Sequence, residues 1–525
     1  MTDKDNRTAR GVSRRSVLAG VAAAGVSTAL PAMASARIAS QASSIKHWDI
    51  TTDVLVAGSG ATGISAAIDA RRADAQVLVL ESLNKLGGSS ALSGGVIYAG
   101  GGTALQKALG FEDSVEAMYH YIVHAGRKHP HLDKIQIYCE QSVAHFDWLV
   151  ENGVPYNKLF SPSKGLGFDE ASLYYSGSEE AWPWRDAYPP APRGHVPWEK
   201  GHQGGRKLMR SLLASAEQMG VKMLKRAPGE RLVVESDGRV SGMIATINGE
   251  RKAIRAKRGV VLACGGFIHN REMVKLYAPE LYDCLVPWAN AGDMGIGILM
   301  GMGAGAAAIR MDQGFAIGPI YPPENTIAGI AVNRNGQRFT TEEGYHAVMG
   351  NDVTYKHNGV AYFVCDRDSD RPAGSDNQPL VAQADTIAEL EAKAGFPIGA
   401  LQMTVDYYNR HAAKGEDPMF HKSKKYLSPI DKPPFKVYDL SVDKTMYSSH
   451  TFGGLSTTAS AQALNIYGEP IPGLYAAGRN SSGLPTSPYI ASGISVGDCT
   501  FFGRQAGAHA AKDHATKNHT LKNKA

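Results

Sequence analysis

Two apolar runs, residues 54–57 and 77–80, bracket a glycine fingerprint and a stretch of small residues with helical spacing. Apolar run, tight turn, helix, then apolar run ending on an acid predicts a βαβ unit over residues 53–81. Helical periodicity returns at 114–126, 132–152 and 205–219 and predicts helices that cover the sheet. Residues 231–247 and 253–262 read as a β-meander and a returning strand, whose buried run Val260-Val261-Leu262-Ala263 ends in Cys264-Gly265-Gly266. Near the other end, IPGLYAAG at 471–478 predicts a strand entering a glycine turn, and residues 495–512 a closing helix.

Between these lie two stretches of different texture. Residues 154–203 are rich in proline, glycine and aromatics, including Tyr174, Tyr175, Trp182, Trp184, Tyr188 and Trp198, and read as a long lid without obvious structure, packed down by its aromatics. Residues 306–440 mix short strands with a helix over 398–414 and carry no glycine fingerprint. The expected fold class is therefore α/β: a Rossmann-like nucleotide-binding domain from 48–305 and 441–515, with an inserted α+β substrate domain at 306–440 and a basic tail at 516–525.

Composition narrows the class. With 525 residues, 43% hydrophobic and 20% charged, the chain suits a globular enzyme with a sizeable core. The net charge of +5 includes five basic and two acidic side chains in residues 1–36, leaving about +2 elsewhere and no nucleic-acid footprint. Those first residues carry Ser13-Arg14-Arg15-Ser16-Val17-Leu18, an apolar stretch at 17–30 and Ala34-Ser35-Ala36, the pattern of a twin-arginine signal peptide. A mature protein starting near Arg37, exported folded through the twin-arginine (Tat) translocase to the periplasm, is the expectation. No run is long enough to serve as a stable transmembrane segment. Five widely spaced cysteines imply neither a disulfide framework nor a metal site, and the absence of C-x-x-C-H leaves any electron acceptor a separate molecule.

The fingerprint itself, Gly58-Ser59-Gly60-Ala61-Thr62-Gly63, carries chemistry. Gly58 permits the turn, Gly60 admits a pyrophosphate to the backbone, and Gly63 lets helix and strand pack closely, while the helix N-terminus offers free N–H groups. Glu81, eighteen positions after Gly63 and followed by Ser82, is placed to accept from a ribose hydroxyl. The run Gly87-Gly88-Ser89-Ser90-Ala91-Leu92-Ser93-Gly94-Gly95 favours FAD over NAD, because its small residues and hydroxyls suit a pyrophosphate and a flavin edge. Gly265, Asp293, Gly478, Ser495 and Val496 are the remaining candidates for the cofactor, standing at strand ends, in a glycine-rich segment and at the start of the closing helix.

The order of GSGATG, GGSSALSGG, ACGGF, GQRFTTE, HTFGG, IPGLYAAG and TFFGRQAG resembles the fumarate reductase and 3-ketosteroid dehydrogenase superfamily of FAD enzymes, from Trp48 to Gly507. GGGTALQKALG, YCEQSVAHFDWL, PAPRGH and GEDPMFHK are similar to the 3-ketosteroid Δ4-(5α)-dehydrogenases. The reductases of that superfamily place one arginine after the RF-x-x-E segment and another in the C-terminal motif. Here those regions read Glu343-Gly344-Tyr345-His346 and Ser487-Pro488-Tyr489-Ile490, so a small dicarboxylate would lack its bidentate partner.

The resemblance implies oxidation of a saturated bond beside a ring ketone, with a steroid or other apolar polycyclic ketone as substrate. It implies Tyr345 as the proton-abstracting partner and Tyr489, Ser492 and the Gly493 N–H on the enolate side. Global likeness favours the C4–C5 bond. Local spacing leans to C1–C2, because Tyr489 and Gly493 fall where the Δ1-dehydrogenases have their tyrosine and glycine, and Ile490 stands where the Δ4-(5α) enzymes have theirs. A fumarate- or urocanate-type reductase is the more distant alternative. Tyr175 is a further candidate from the lid, and His450 reads as a packing or orienting residue.

Overall fold

The computed structural model describes residues 38–126, 131–163, 170–199, 204–318, 324–370 and 378–513. The expected signal peptide and basic tail lie outside these residues. The frame is a parallel sheet. Strand β1 (Ile50–Ala57) leads through the glycine turn into helix α1 (Ala61–Arg72) and back to β2 (Val77–Leu80), in register Val54 to Val77 and Ala57 to Leu80. Beyond β2 lies β3 (Lys222–Leu224), also parallel.

A meander follows, β4 (Gly229–Val234) and β5 (Val240–Ile247), joined by a tight turn to the long β6 (Glu250–Leu262). The first half of β6 pairs with β5 and its end with β7 (Pro470–Ala476), while its other edge runs parallel to β1 from Ile254 to Leu262, with one irregularity between Ala256 and Gly259. The chain thus leaves the sheet at Leu262 and re-enters beside it some two hundred residues later, which brings Gly265 and Gly478 to the same sheet end as Gly58.

The all-buried runs of β1 and β2 follow from coverage on both faces. On one face α1 packs against the closing helix α2 (Ile494–Lys512). A Cβ on Gly503 would stand 2.4 Å from the Thr62 carbonyl oxygen, and one on Gly507 would stand 1.9 Å from that of Ala66, so these glycines set the helix separation. Residues 132–152 form two helices, Leu132–Glu140 and Ser142–Glu151, rather than one.

The expectation of a structureless lid is corrected. Its strands Phe160–Ser161, Leu173–Tyr174 and Gly194–His195 build a small sheet with Ile97–Tyr98. Aromatic contacts among Phe111, Phe160 and Tyr175 and the buried Arg193–Asp113 ion pair at 2.6 Å supply the stability that local periodicity does not advertise. The inserted region has its own antiparallel sheet, ordered Ile330–Val332, Tyr362–Cys365, Phe435–Asp439, Leu380–Ala384. Helices Ile387–Ala394 and Ala400–Ala412 close one side of it over a separate apolar core, and helix His346–Lys356 packs towards the nucleotide-binding domain.

Candidate active site

The glycine turn forms a cradle whose three glycines have separable causes. Gly58 adopts φ +106°, and a Cβ there would stand 2.2 Å from the Ala263 carbonyl oxygen. A Cβ on Gly63 would stand 1.9 Å from the Gly58 carbonyl oxygen. Gly60 is different: its backbone is extended, φ −70° and ψ −175°, and a Cβ would meet nothing nearer than 3.6 Å. Neither strain nor the protein's own packing asks for glycine at 60. A ligand lying against the backbone does, which is the fit expected of a pyrophosphate.

Around that space the polar groups converge. Ser90 Oγ accepts from the Ala61 N–H at 3.1 Å, Ser89 Oγ accepts from the Asn290 N–H at 3.0 Å, and Gly87 N–H donates to Ser59. Glu81 accepts from Ser59 N–H (3.2 Å), Ser59 Oγ (2.6 Å), Leu83 N–H (2.8 Å) and Ser82 Oγ (3.3 Å). Its carboxylate therefore first serves to tie the turn to β2, and a ribose hydroxyl would replace one of the two serine hydroxyls. Gly265 and Gly478 stand behind the cradle against Asp293 and Thr62. Asp293 is buried, with Arg479 Nη2 at 3.0 Å; burial raises its pKa and the guanidinium opposes the rise.

Beyond the cradle opens a cavity of about 920 Å³ of empty space, mouth included. Ser89, Ser90, Gly94, Gly95, Ser495 and Val496 line it together with Tyr345, Tyr489, Ser492 and Gly493. Phe315 and Trp288 supply apolar wall, and His450 stacks on Phe315 at 4.6 Å between ring centroids.

The hydroxyl groups are arranged in a specific way. Tyr345 Oη and Ser492 Oγ are 2.8 Å apart. Tyr489 Oη accepts from the Ser495 N–H, in the first turn of α2, at 3.1 Å, which leaves the phenol proton free to donate into the cavity. Burial pushes the Tyr489 phenol up to about 12, with the Ser495 hydrogen bond opposing, so it stays a donor at neutral pH. The Ile494 N–H reaches back to the Ala491 carbonyl at 3.5 Å. Helix α2 starts by folding over its own preceding turn, and the Tyr489 hydroxyl takes the next N–H.

The neighbouring register separates Tyr489 from Ile490. Ile490 faces a second cavity with Tyr121, Trp182 and Trp184, while Tyr489 faces the first. Tyr175 is corrected as a site candidate: its ring packs on Phe111 and Phe160 and its hydroxyl donates to the Pro190 carbonyl at 3.3 Å.

Among the polar lining residues, Arg479 and His346 escaped sequence reasoning, and His450, read there as a packing or orienting residue, also faces the cavity. Arg479 follows the IPGLYAAG motif directly, a signal that position alone supplied. His346 is held neutral by burial, its pKa lowered to about 4. His450 has no hydrogen-bond partner on either ring nitrogen among the described residues and is pushed well below its ordinary pKa by burial and by Arg479, so it offers the cavity a neutral donor and acceptor. Among the described residues no helix is long and apolar enough to cross a membrane, and no cluster of side chains is built to hold a metal.

Comparison with known proteins agrees with the cradle. Residues 53–494 match the FAD binding domain family. A solved structure of 3-ketosteroid-Δ4-(5α)-dehydrogenase from Rhodococcus jostii RHA1, in complex with 4-androstene-3,17-dione, is 40% identical, covers 91% of this chain and 100% of its own, and superposes with a TM-score of 0.85. The 3-oxosteroid 1-dehydrogenase of Mycobacterium tuberculosis is 29% identical over 87% of this chain and 98% of that protein. Urocanate reductase of Eggerthella lenta is 28% identical over 87% of this chain and 74% of that protein. The chain belongs to the FAD binding domain family and is an FAD-dependent oxidoreductase related to the 3-ketosteroid dehydrogenases.

Proposed function

We propose that the protein dehydrogenates ring A of a 3-ketosteroid, preferentially across C4 and C5. The observation that carries the reading is the pairing of Tyr345 with Ser492 at 2.8 Å, in one cavity with a Tyr489 phenol whose oxygen is already capped by the Ser495 N–H. Tyr489 donates its proton to the substrate carbonyl, and the N-terminus of α2, beginning at Gly493, favours the negative charge that develops there. Tyr345 takes the α-proton on its phenolate oxygen, which the Ser492 hydroxyl orients and stabilises by hydrogen bonding. FAD, when bound, accepts the β-hydrogen with its electron pair. The apolar wall of Phe315 and Trp288 suits a flat polycycle and keeps water from the proton in transit.

A dicarboxylate reductase is disfavoured by charge. Arg479 is the single arginine lining this cavity among the described residues, and Asp293 pairs with it. The likeness to the C4–C5 enzyme is higher, 40% against 29% identity, and supports that bond. One observation favours C1–C2 instead: Tyr489, not residue 490, faces the cavity.

Anaerobic titration of the FAD-loaded protein with a 5α-3-ketosteroid, its 5β epimer and a 4-en-3-one separates the readings. Flavin bleaching by a saturated ketone with a 4-ene product supports C4–C5. Bleaching by the 4-en-3-one with a 1,4-diene product assigns C1–C2, and no bleaching by any of the three removes the steroid. A separate acceptor reoxidises the enzyme in this scheme. The twin-arginine segment supports a periplasmic reaction, which fractionation of cells carrying the Arg14→Lys/Arg15→Lys chain tests: the double variant stays in the cytoplasm if the reading is right.

A further inference from the structure

The lid segment around Ser176 to Ser178 touches both halves of the hydroxyl pair without lining the cavity that holds them. On one side it adds like a short strand to the segment that carries Ser492. The Ser492 N–H donates to the Ser176 carbonyl at 2.8 Å, Ser176 Oγ donates to the Ser492 carbonyl at 2.9 Å, and Gly177 bridges to Ala491. Gly177 has to be glycine here, because a Cβ would stand 2.5 Å from the Tyr121 hydroxyl and 2.9 Å from the Ile490 carbonyl. Tyr121 locks the contact: its hydroxyl donates to the Ile490 carbonyl at 2.8 Å and accepts from the Ser178 N–H at 2.7 Å.

On the other side the same strand reaches the segment that carries Tyr345. Ser178 is buried, and its Oγ accepts from the Tyr345 N–H at 2.8 Å. Tyr345 is the N-cap residue of helix His346–Lys356, where a backbone N–H is satisfied from outside the helix's own ladder. A few residues on, Arg185 Nη1 donates to Glu343 at 3.1 Å and to Ser423 at 2.6 Å, which clamps the lid to the inserted domain around the same loop. Tyr345 and Ser492 are 147 residues apart in sequence, and one short lid segment bonds to the backbone of both.

We propose that Ser178 is a positioning residue that sets the Tyr345–Ser492 hydrogen bond. The inference rests on the dehydrogenase reading only for its kinetic arm. Its hydroxyl fixes the backbone nitrogen of Tyr345, while Ser176 and Gly177, on the same strand, fix the backbone of Ser492 and Ala491. The distance between the two side-chain oxygens is then the property of a single rigid segment.

The decisive experiment places 3-fluorotyrosine at position 345 of the FAD-loaded enzyme, with the fluorine beside the hydroxyl as an NMR reporter. Ser492→Ala moves its resonance by removing the partner. Ser178→Ala is expected to move it in the same direction, the double variant to resonate where Ser492→Ala alone does, and Ser178→Thr, which keeps the hydroxyl, to restore the original position. In turnover, Ser178→Ala is expected to lower kcat about 10- to 100-fold at an unchanged KM, because the reacting groups are misplaced while the apolar wall is intact. A resonance unmoved by Ser178→Ala, or a Ser178→Ala effect that adds in full to that of Ser492→Ala, overturns the proposal. If the unmodified enzyme bleaches with no ketone, the dehydrogenase reading fails, and the fluorine reporter still decides the role of Ser178.

Discussion

The cradle and the hydroxyl junction are built at different ranges of the chain. In the cradle, Ser59 meets Glu81 across 22 positions and Ala61 meets Ser90 across 29. In the junction, Tyr345 meets Ser492 across 147 and Ser178 across 167, Ser176 of the lid meets Ser492 across 316, and Tyr121 meets Ile490 across 369. The glycine turn of the cradle is thus a property of one βαβ unit and its following loop. Aligning Tyr345 with Ser492 is a property of the assembled tertiary structure. Changes in one region should leave the other's readout alone.

The sharpest separation comes from Tyr345→Phe, which keeps the ring in its buried place and deletes the hydroxyl. Loss of the proton acceptor is expected to reduce the rate of substrate-driven flavin bleaching by about 10²- to 10⁴-fold. FAD affinity, measured by equilibrium dialysis, should not move. A loss of FAD together with activity would show that the two regions are one.

Glu342 tests how far the junction extends. It is buried with Arg338 at 2.7 Å and Lys422 at 2.8 Å, and it accepts from the Ala331 N–H at 3.0 Å, three residues before Tyr345. Burial alone would raise its pKa, but Arg338 and then Lys422 hold it down to about 2. Because the folded-state value lies below the ordinary one, its stabilisation is present above pH of about 4.5 and is lost as pH falls towards 2. Glu342→Gln leaves buried cations short of a partner and is expected to cost about 3–5 kcal/mol by urea unfolding. The remaining folded protein should bleach slowly yet bind FAD normally.

This contrast explains what was legible in the sequence. The βαβ unit, the meander and the closing helix follow from patterns that each span fewer than about thirty residues, the range over which apolar periodicity and turn chemistry act. Gly60 was assigned to a ligand from spacing, and the open space above it gives that assignment its cause. Tyr345, Tyr489 and Ser492 were placed in one site through a family likeness, and no local pattern would have joined them. The lid failed for the same reason. Strands of two residues, such as Leu173–Tyr174 and Gly194–His195, have no period, and a sheet of them exists only because distant aromatic and ionic contacts hold it. Tyr175, just past Leu173–Tyr174, packs on Phe111 and Phe160, contacts that no local pattern announces.

The cradle can be divided within itself. Gly63→Ala drives a Cβ into the Gly58 carbonyl, an overpacking expected to cost about 1–3 kcal/mol in stability whether or not FAD is bound. Gly60→Ala makes only ordinary van der Waals contact, with Ser90 Oγ at 3.6 Å, and should leave the melting temperature of the cofactor-free protein unchanged while weakening FAD. Differential scanning fluorimetry with and without FAD distinguishes them. Equal destabilisation of the cofactor-free forms would show that Gly60 serves the fold and would remove the argument from open space.

Helix α2 belongs to both regions, and Asp498 within it gives the smallest expected effect. Its Oδ1 accepts from the Leu484 N–H at 2.8 Å, steadying the segment that leads to Tyr489, and Gly503 and Gly507 further along the helix pack on α1. Burial raises its pKa from 3.8 to about 6, with the Leu484 hydrogen bond and Lys134 opposing. The folded value lies above the unfolded one, so this group contributes stability below pH of about 4 that is lost as pH rises through about 6. Asp498→Asn keeps an oxygen for Leu484 and removes the titration. Stability at neutral pH should change by about 1 kcal/mol or less, and the decline in melting temperature between those two pH values should flatten. Bleaching rate and FAD affinity should both hold, since the helix is shared through its packing rather than through this charge. A fall in rate with FAD retained would place the carboxylate among the groups that align Tyr489 and extend the long-range junction one turn into the helix.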